Sequence, residues 1–115
     1  MKNGACYNGD YENNLKSGSG VFWYPDGSIY KGAWRCDKRE GEGEYIYPNG
    51  DRYRGGWKED LRHGKGIYAF KHSGSFFNGN WIRGEAEGAG QIHHPNYTTF
   101  NVNLIAYLII IITIE

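Results

Sequence analysis

The chain has 115 residues, room for one ordinary domain, and balances 13 Lys and Arg against 13 Asp and Glu. That balance removes the simplest electrostatic case for nucleic acid or an acidic partner, since such binding needs a basic surplus. Eighteen glycines beside 17% aromatics exclude a disordered linker, because disordered segments lack the rings needed to bury surface.

The N-terminus, Met1-Lys2-Asn3-Gly4-Ala5-Cys6, has no apolar run and so does not read as a secretory signal. Asn3-Gly4-Ala5-Cys6-Tyr7 aligns with Asn49-Gly50-Asp51-Arg52-Tyr53 further on. Residues 1–6 therefore read as the remnant of a preceding repeat turn, and the chain as a fragment of a longer array or a truncated gene model. Cys6 and Cys36 stand alone without CxxC spacing, which predicts two free thiols in a reducing, intracellular compartment rather than a zinc site or disulfide framework.

From Tyr7 onward a unit repeats. Its openings are Tyr7-Asn8-Gly9-Asp10-Tyr11, Tyr30-Lys31-Gly32-Ala33-Trp34, Tyr53-Arg54-Gly55-Gly56-Trp57 and Phe77-Asn78-Gly79-Asn80-Trp81, giving units 7–29, 30–52, 53–76 and 77–97. A Gly-x-Gly follows at Gly18/Gly20, Gly41/Gly43, Gly64/Gly66 and Gly88/Gly90. Pro25-Asp26-Gly27 and Pro48-Asn49-Gly50 then close the first two complete units, with Gly74 and Pro95 in the later ones. Sixteen of the 18 glycines fall on this template, so repeat architecture precedes every other consideration.

Both halves of a unit alternate with period two, which predicts strands. Tyr30, Gly32 and Trp34 share one face; so do Gly43, Tyr45 and Tyr47, matched by Gly66, Tyr68 and Phe70. Asp26-Gly27 and Asn49-Gly50 supply the positive-φ positions of tight hairpin turns. Glycine inside a strand needs a reason, and close approach of a neighbouring ring is the physical one. The expectation is an all-β, extended single antiparallel sheet of tandem β-hairpins, each unit touching only its neighbours, in a rod of roughly 40 Å. Tyr7, Tyr11, Tyr30, Trp34, Tyr53, Trp57, Phe77 and Trp81 are the expected core and interaction strip.

The fourth unit reaches Pro95-Asn96 and then breaks the template, because Tyr97 stands where a turn glycine belongs. The ordered body is accordingly expected over 7–96, with 98–115 as an apolar C-terminal tail. Leu104 to Ile114 is an uncharged apolar run. As a helix it would span only ~16 Å of a ~30 Å hydrocarbon core, too short for a conventional crossing. A non-native tail, a strand docked on the open edge of the array and a membrane anchor all stay open.

No residue arrangement calls for catalysis, a metal or a cofactor. Adjacent strand residues face opposite ways, so His93 and His94 cannot chelate one ion together, and His63 is expected in a hairpin turn between Arg62 and Lys65. No Ser, Cys or carboxylate is spaced beside a base. The Gly-x-Gly segments are followed by no helix, which a phosphate loop requires.

The pattern Tyr-x-Gly-x-Trp-x6-Gly-x-Gly, fullest at Arg62-His63-Gly64-Lys65-Gly66, resembles the MORN repeat over roughly residues 3–97. A narrower resemblance, carried by Lys2-Asn3-Gly4-Ala5, the insertion at Ser73-Gly74-Ser75 and the run Glu87 to His93, is to the MORN segment of the radial spoke head component of motile cilia. The family implies a scaffold, a dimerisation module or a membrane-associated module without catalysis in the repeats. The resemblance thus implies a protein partner, with a homodimer or a phospholipid as further partners, in the cytoplasm, the cytoskeleton or a ciliary axoneme. The alternatives are a phosphoinositide-binding surface built from turn basics Arg35, Lys38, Arg39, Lys58, Arg62 and Lys65, or the regulatory repeats of a larger enzyme such as a phosphatidylinositol phosphate kinase. Against the lipid reading, Asp37, Glu40, Glu42, Glu59 and Asp60 interleave with these cations.

Overall fold

The chain folds into one sheet of antiparallel strands, each hydrogen-bonded to its neighbour in sequence. The computed structural model describes residues 4–96, 98–105 and 108–114, with Ile105 and 108–114 described by backbone alone. The strands are β1 (Cys6–Glu12), β2 (Leu15–Trp23), β3 (Ile29–Arg35), β4 (Lys38–Ile46), β5 (Arg52–Lys58), β6 (Leu61–Ala69), β7 (Phe76–Ile82), β8 (Glu85–His93), β9 (Thr99–Ile105) and β10 (Leu108–Ile114). No helix occurs among the described residues. The sheet is a rod with extents of 49 × 24 × 21 Å.

Two kinds of turn alternate along it, and they are not distributed as the sequence suggests. The proline-containing turns are three-residue loops. Tyr24 N–H donates to Ser28 O at 2.9 Å and Gly27 N–H to Tyr24 O at 3.1 Å. Only Gly27 (φ 95) is left-handed there, and Tyr47 to Asp51 repeats the arrangement with Gly50 (φ 91). Pro25 and Pro48 therefore pre-set an ordinary first turn position, and the glycine alone takes the reversed one. The two-residue turns, left-handed at both positions, sit at the other end of the hairpins: Asn13-Asn14, Cys36-Asp37, Glu59-Asp60 and Arg83-Gly84.

Left-handed backbone costs a non-glycine residue about 1–2 kcal/mol, so these turns need compensation. It comes from the preceding unit. Asp37 N–H donates to Lys16 O at 2.9 Å, and Lys16 N–H donates back to Asp37 Oδ1 at 2.7 Å. Asp60 and Arg39 repeat the exchange at 3.1 and 2.9 Å. Each of these two turns is thus pinned to the second strand of the unit before it.

Across the middle of the sheet runs a row of paired glycines, Gly9–Gly20–Gly32–Gly43–Gly55–Gly66–Gly79. Tyr30, Trp34, Tyr53, Trp57, Phe77, Trp81 and Val102 are buried over it and form the core. The polar tips of these rings are satisfied locally. Tyr30 Oη donates to Ala33 O at 2.8 Å and Tyr53 Oη to Gly56 O at 3.0 Å. The indoles of Trp34, Trp57 and Trp81 donate to Gly20 O, Gly43 O and Gly66 O, each at 3.2 Å. Successive Tyr and Trp rings meet edge to face, as between Tyr30 and Trp57 at 5.3 Å, the arrangement ring quadrupoles favour.

The sheet continues past Asn96. His94 N–H donates to Thr98 O at 2.9 Å, the bond that closes the earlier loops. β9 then pairs with β8 in the register of the earlier units: Ile92 opposite Phe100, Gly90 opposite Val102, Gly88 opposite Leu104. It is the first strand of a fifth unit whose glycine has become Val102 and whose tryptophan has become Leu104, which hides it from the template. β10 pairs with β9 in turn, so the apolar run enters the sheet by its backbone. Residues 1–3, Tyr97, Ala106, Tyr107 and Glu115 lie outside the described residues, and with them the N-terminal part of the expected repeat remnant and the glycine-to-tyrosine break.

Candidate protein-binding face

On the face above the glycine row, the second strand of each of the first three units, with the residue that follows it, contributes two rings. They meet in one continuous ribbon: Phe22 to Tyr24 at 4.4 Å, Tyr24 to Tyr45 at 5.7 Å, Tyr45 to Tyr47 at 4.7 Å, Tyr47 to Tyr68 at 5.4 Å and Tyr68 to Phe70 at 4.9 Å. These rings are half-buried against the core or, at Phe70, exposed. The expected strip residues divide accordingly. Tyr30, Trp34, Tyr53, Trp57, Phe77 and Trp81 build the interior, Tyr7 is half-buried at the first strand, and Tyr11 is 58% exposed and touches Tyr7 edge-on at 5.1 Å. On this face the accessible rings, apart from Tyr7 and Tyr11, are the second-strand ones. Their signal was present as alternation after each Gly-x-Gly, but alternation alone does not tell interior from surface.

Three cations lie over this face, against the expectation that the basic residues form a turn edge. Lys16 Nζ stands 5.3 Å from the Trp34 ring, Arg39 Cζ 4.7 Å from Trp57 and Arg62 Cζ 4.5 Å from Trp81. In each case the charged head lies over the ring and also reaches a polar partner. Lys16 pairs with Asp37 and Arg39 with Asp60, each at 3.2 Å. Arg62 donates to Tyr47 Oη at 3.1 Å and to Gly84 O. The remaining basics separate from these: Arg35 is exposed and pairs with Glu40 at 3.6 Å, while Lys38, Lys58 and Lys65 are exposed. The six do not form one positive cluster, since acids pair with Arg35 and Arg39 and the guanidinium groups of Arg39 and Arg62 lie over rings.

Burial governs the hydroxyls of the face. It pushes Tyr24 and Tyr53 up to about 12, against the opposing pull of Arg39 and Arg62 respectively. Tyr30 and Tyr47 are raised by burial as well, and Tyr68 by burial and then by its bond to Asp51. Around neutral pH these groups remain protonated. Tyr68 Oη donates to Asp51 Oδ2 and Lys71 N–H to Asp51 Oδ1, both at 2.9 Å. The Lys71 bond holds the Asp51 carboxyl below its usual range more strongly than burial raises it.

The histidines are spread out. His63 lies within β6, not in a turn, because the tight turn ends at Asp60. His93 stacks on Phe76 at 4.6 Å, whereas His94 meets Phe100 at 5.4 Å and shares a 2.6 Å hydrogen bond with Ser75 Oγ. Among the described residues no three His, Cys, Asp or Glu side chains gather as a metal site. Cys6 and Cys36 are exposed and free. At the far end of the ribbon Phe70, Phe77, Trp81, Ala86, Ile92 and Leu104 line an open hollow of about 310 Å³, with Arg62 on its rim.

The family model described as MORN repeat matches residues 7–29, 30–52, 53–71 and 77–99. No curated protein matches the chain. Among solved structures, the fold is similar to the SAS-4 (dCPAP) TCP domain of Drosophila melanogaster, determined in complex with a proline-rich motif of Ana2 (dSTIL). The TM-score is 0.54 at 21% identity, and the match covers 75% of this chain and 47% of that one.

Proposed function

Because the chain belongs to the MORN-repeat family, we propose that it is a non-catalytic scaffold that holds an extended segment of another protein against its aromatic ribbon. The carrying observation is the unbroken succession of six accessible rings from Phe22 to Phe70. Rigid aromatic surfaces recognise extended and proline-rich segments at low entropic cost, because such segments are already extended when free. The Drosophila domain of similar fold was solved with a proline-rich motif, which makes that class of segment the first to try. The narrower sequence resemblance supports placing this scaffold inside the cell, in a ciliary or axonemal assembly. The ion pairs that occupy Lys16, Arg39 and Arg35 favour a protein over a phosphoinositide as the partner.

A photo-crosslinking amino acid placed at Tyr45, and separately at the neighbouring Glu44, tests the reading in cells. Adducts from Tyr45 and few from Glu44 are expected; equal yields at both positions would remove the ribbon as the binding face. Flotation on phosphoinositide liposomes, unchanged by mutation of Tyr45, would replace the reading with a membrane one.

A further inference from the structure

One pair of side chains covers the aromatic face in each early unit. A cation follows the start of the second strand, at Lys16, Arg39 and Arg62, and a carboxylate from the next tight turn meets the first two, at Asp37 and Asp60. The fourth unit departs from this rule twice. Gly84 stands where Asp37 and Asp60 stand, and Ala86 stands where the cation belongs.

Both departures have visible consequences. Arg62 Nη2 donates to the Gly84 carbonyl, and none of the ion pairs among the described residues includes Arg62. Arg39 lies across the Trp57 ring of the following unit. Among the described side chains, the short Ala86 puts no such cover over the corresponding Phe77, Ile92 and Leu104. The hollow of about 310 Å³ lies there, walled by Phe70 and Trp81, a size at the lower end of ligand-binding cavities. An apolar cavity and an arginine lacking its carboxylate are thus side by side, and the earlier units show what chemistry would complete them.

We propose that this hollow docks an extended peptide segment of a partner protein bearing an apolar side chain with a carboxylate one or two residues away. The apolar side chain fills the space left by Ala86. The carboxylate meets Arg62 as Asp60 meets Arg39. This rests on the scaffold reading above and adds where the segment is anchored and what it must carry.

The probes are three nine-residue peptides, acetylated and amidated, with a proline–leucine core followed by Glu, Gln or Lys. Each is titrated into the full chain by calorimetry. The Glu peptide is expected to bind at least tenfold tighter than the Lys peptide, with Gln between. The double variant Gly84→Asp/Ala86→Arg rebuilds the cover of the earlier units, and Asp37 (φ 67) and Asp60 (φ 69) show that aspartate fits that turn. It should stay folded and lose at least tenfold in Glu-peptide affinity. Equal binding of the three peptides, absence of binding, or an unchanged affinity in the double variant would each overturn the proposal. If Tyr45 crosslinks persist through any of these, the scaffold reading survives without the hollow; if they are absent, the reading itself fails. A dimer of the parent chain that the double variant breaks would put a second copy in the hollow and overturn the peptide assignment.

Discussion

The ring of Tyr53 lies flat on Gly66 of the paired strand, so close that a Cβ there would stand 2.5 Å from Cε1 and Cζ. Tyr30 on Gly43 and Tyr7 on Gly20 repeat the contact. A single sheet has no second layer to bury its face, and here the first-strand rings fold down onto glycines to act as that layer. The glycine row removes side chains from the sheet so that tyrosines can lie within van der Waals reach of backbone.

Substituting alanine at two neighbouring glycines separates this packing from backbone conformation. Gly66→Ala drives a methyl into Tyr53 and should cost about 2–3 kcal/mol or more. At Gly64 a Cβ meets nothing within 4 Å, but φ is +79, so Gly64→Ala should cost about 1–2 kcal/mol, the left-handed penalty alone. Urea denaturation measures both. A larger loss at Gly64 would mean the ring contact is not what the row provides.

Trp57 is buried, donates its indole N–H to Gly43 O and carries the Arg39 guanidinium on its ring. Trp57→Ala should therefore destabilise by ~3–5 kcal/mol. Tyr11, at the same column of the first strand but mostly exposed, should change stability by no more than about 0.5 kcal/mol on Tyr11→Ala. Matching losses in thermal or urea unfolding would contradict the division between interior and exposed rings.

The hairpin units and the shared face of Tyr30, Gly32 and Trp34 were legible because period-two alternation and glycine spacing repeat in every unit. The placement of the tight turns was not. Cys36-Asp37 and Glu59-Asp60 carry no glycine, and their reversed backbone is held by bonds to Lys16 and Arg39 in the preceding unit, 21 residues away in each case. Arg39 and Arg62 read as edge charges because a sequence shows the charge, not the Trp57 and Trp81 rings over which the guanidinium groups lie. β9 escaped because Val102 and Leu104 replace the two residues that mark a unit opening.

The buried tyrosines give the fold an alkaline limit. Tyr24 and Tyr53 are raised to about 12 from an unfolded value near 10. A raised folded value means the stabilising preference is complete below ~10 and is lost as pH rises through the folded value, because the unfolded chain ionises first. Stability should fall from about pH 10 upward, and phenolate absorbance should appear together with loss of the sheet signal. Full phenolate formation with the sheet intact would show these hydroxyls to be accessible.

Asp51 sets the acid side. Its carboxyl accepts from Lys71 N–H and Tyr68 Oη and is lowered in the folded state, so its contribution is present above an unfolded value of about 3.9 and lost as pH falls through the lower folded one. The stability gap between the parent and Asp51→Asn should be constant from neutral pH to about pH 5 and close below that. A gap that persists in full at acid pH would assign the effect of the substitution to shape, not charge.

The fifth unit carries the last prediction. Val102 is 1% exposed and lies opposite Gly90, in the column that is glycine in all four earlier first strands. Gly32 and Gly55 leave room for the Tyr30 and Tyr53 hydroxyls on their own strand, and with the Val102 side chain in that column the Phe100 ring has no such room. It is half-buried and turns to meet His94 edge-on at 5.4 Å. Valine thus closes the core by filling the column itself, and β9 covers the strand edge that β8 would otherwise expose. Val102→Asp places an unpaired carboxylate in that space and should cost about 3 kcal/mol or more. Hydrogen exchange of the β8 amides should lose protection in the variant before those of β4, since each unit is stabilised by its neighbours. Unchanged β8 protection would mean that the array is complete without β9.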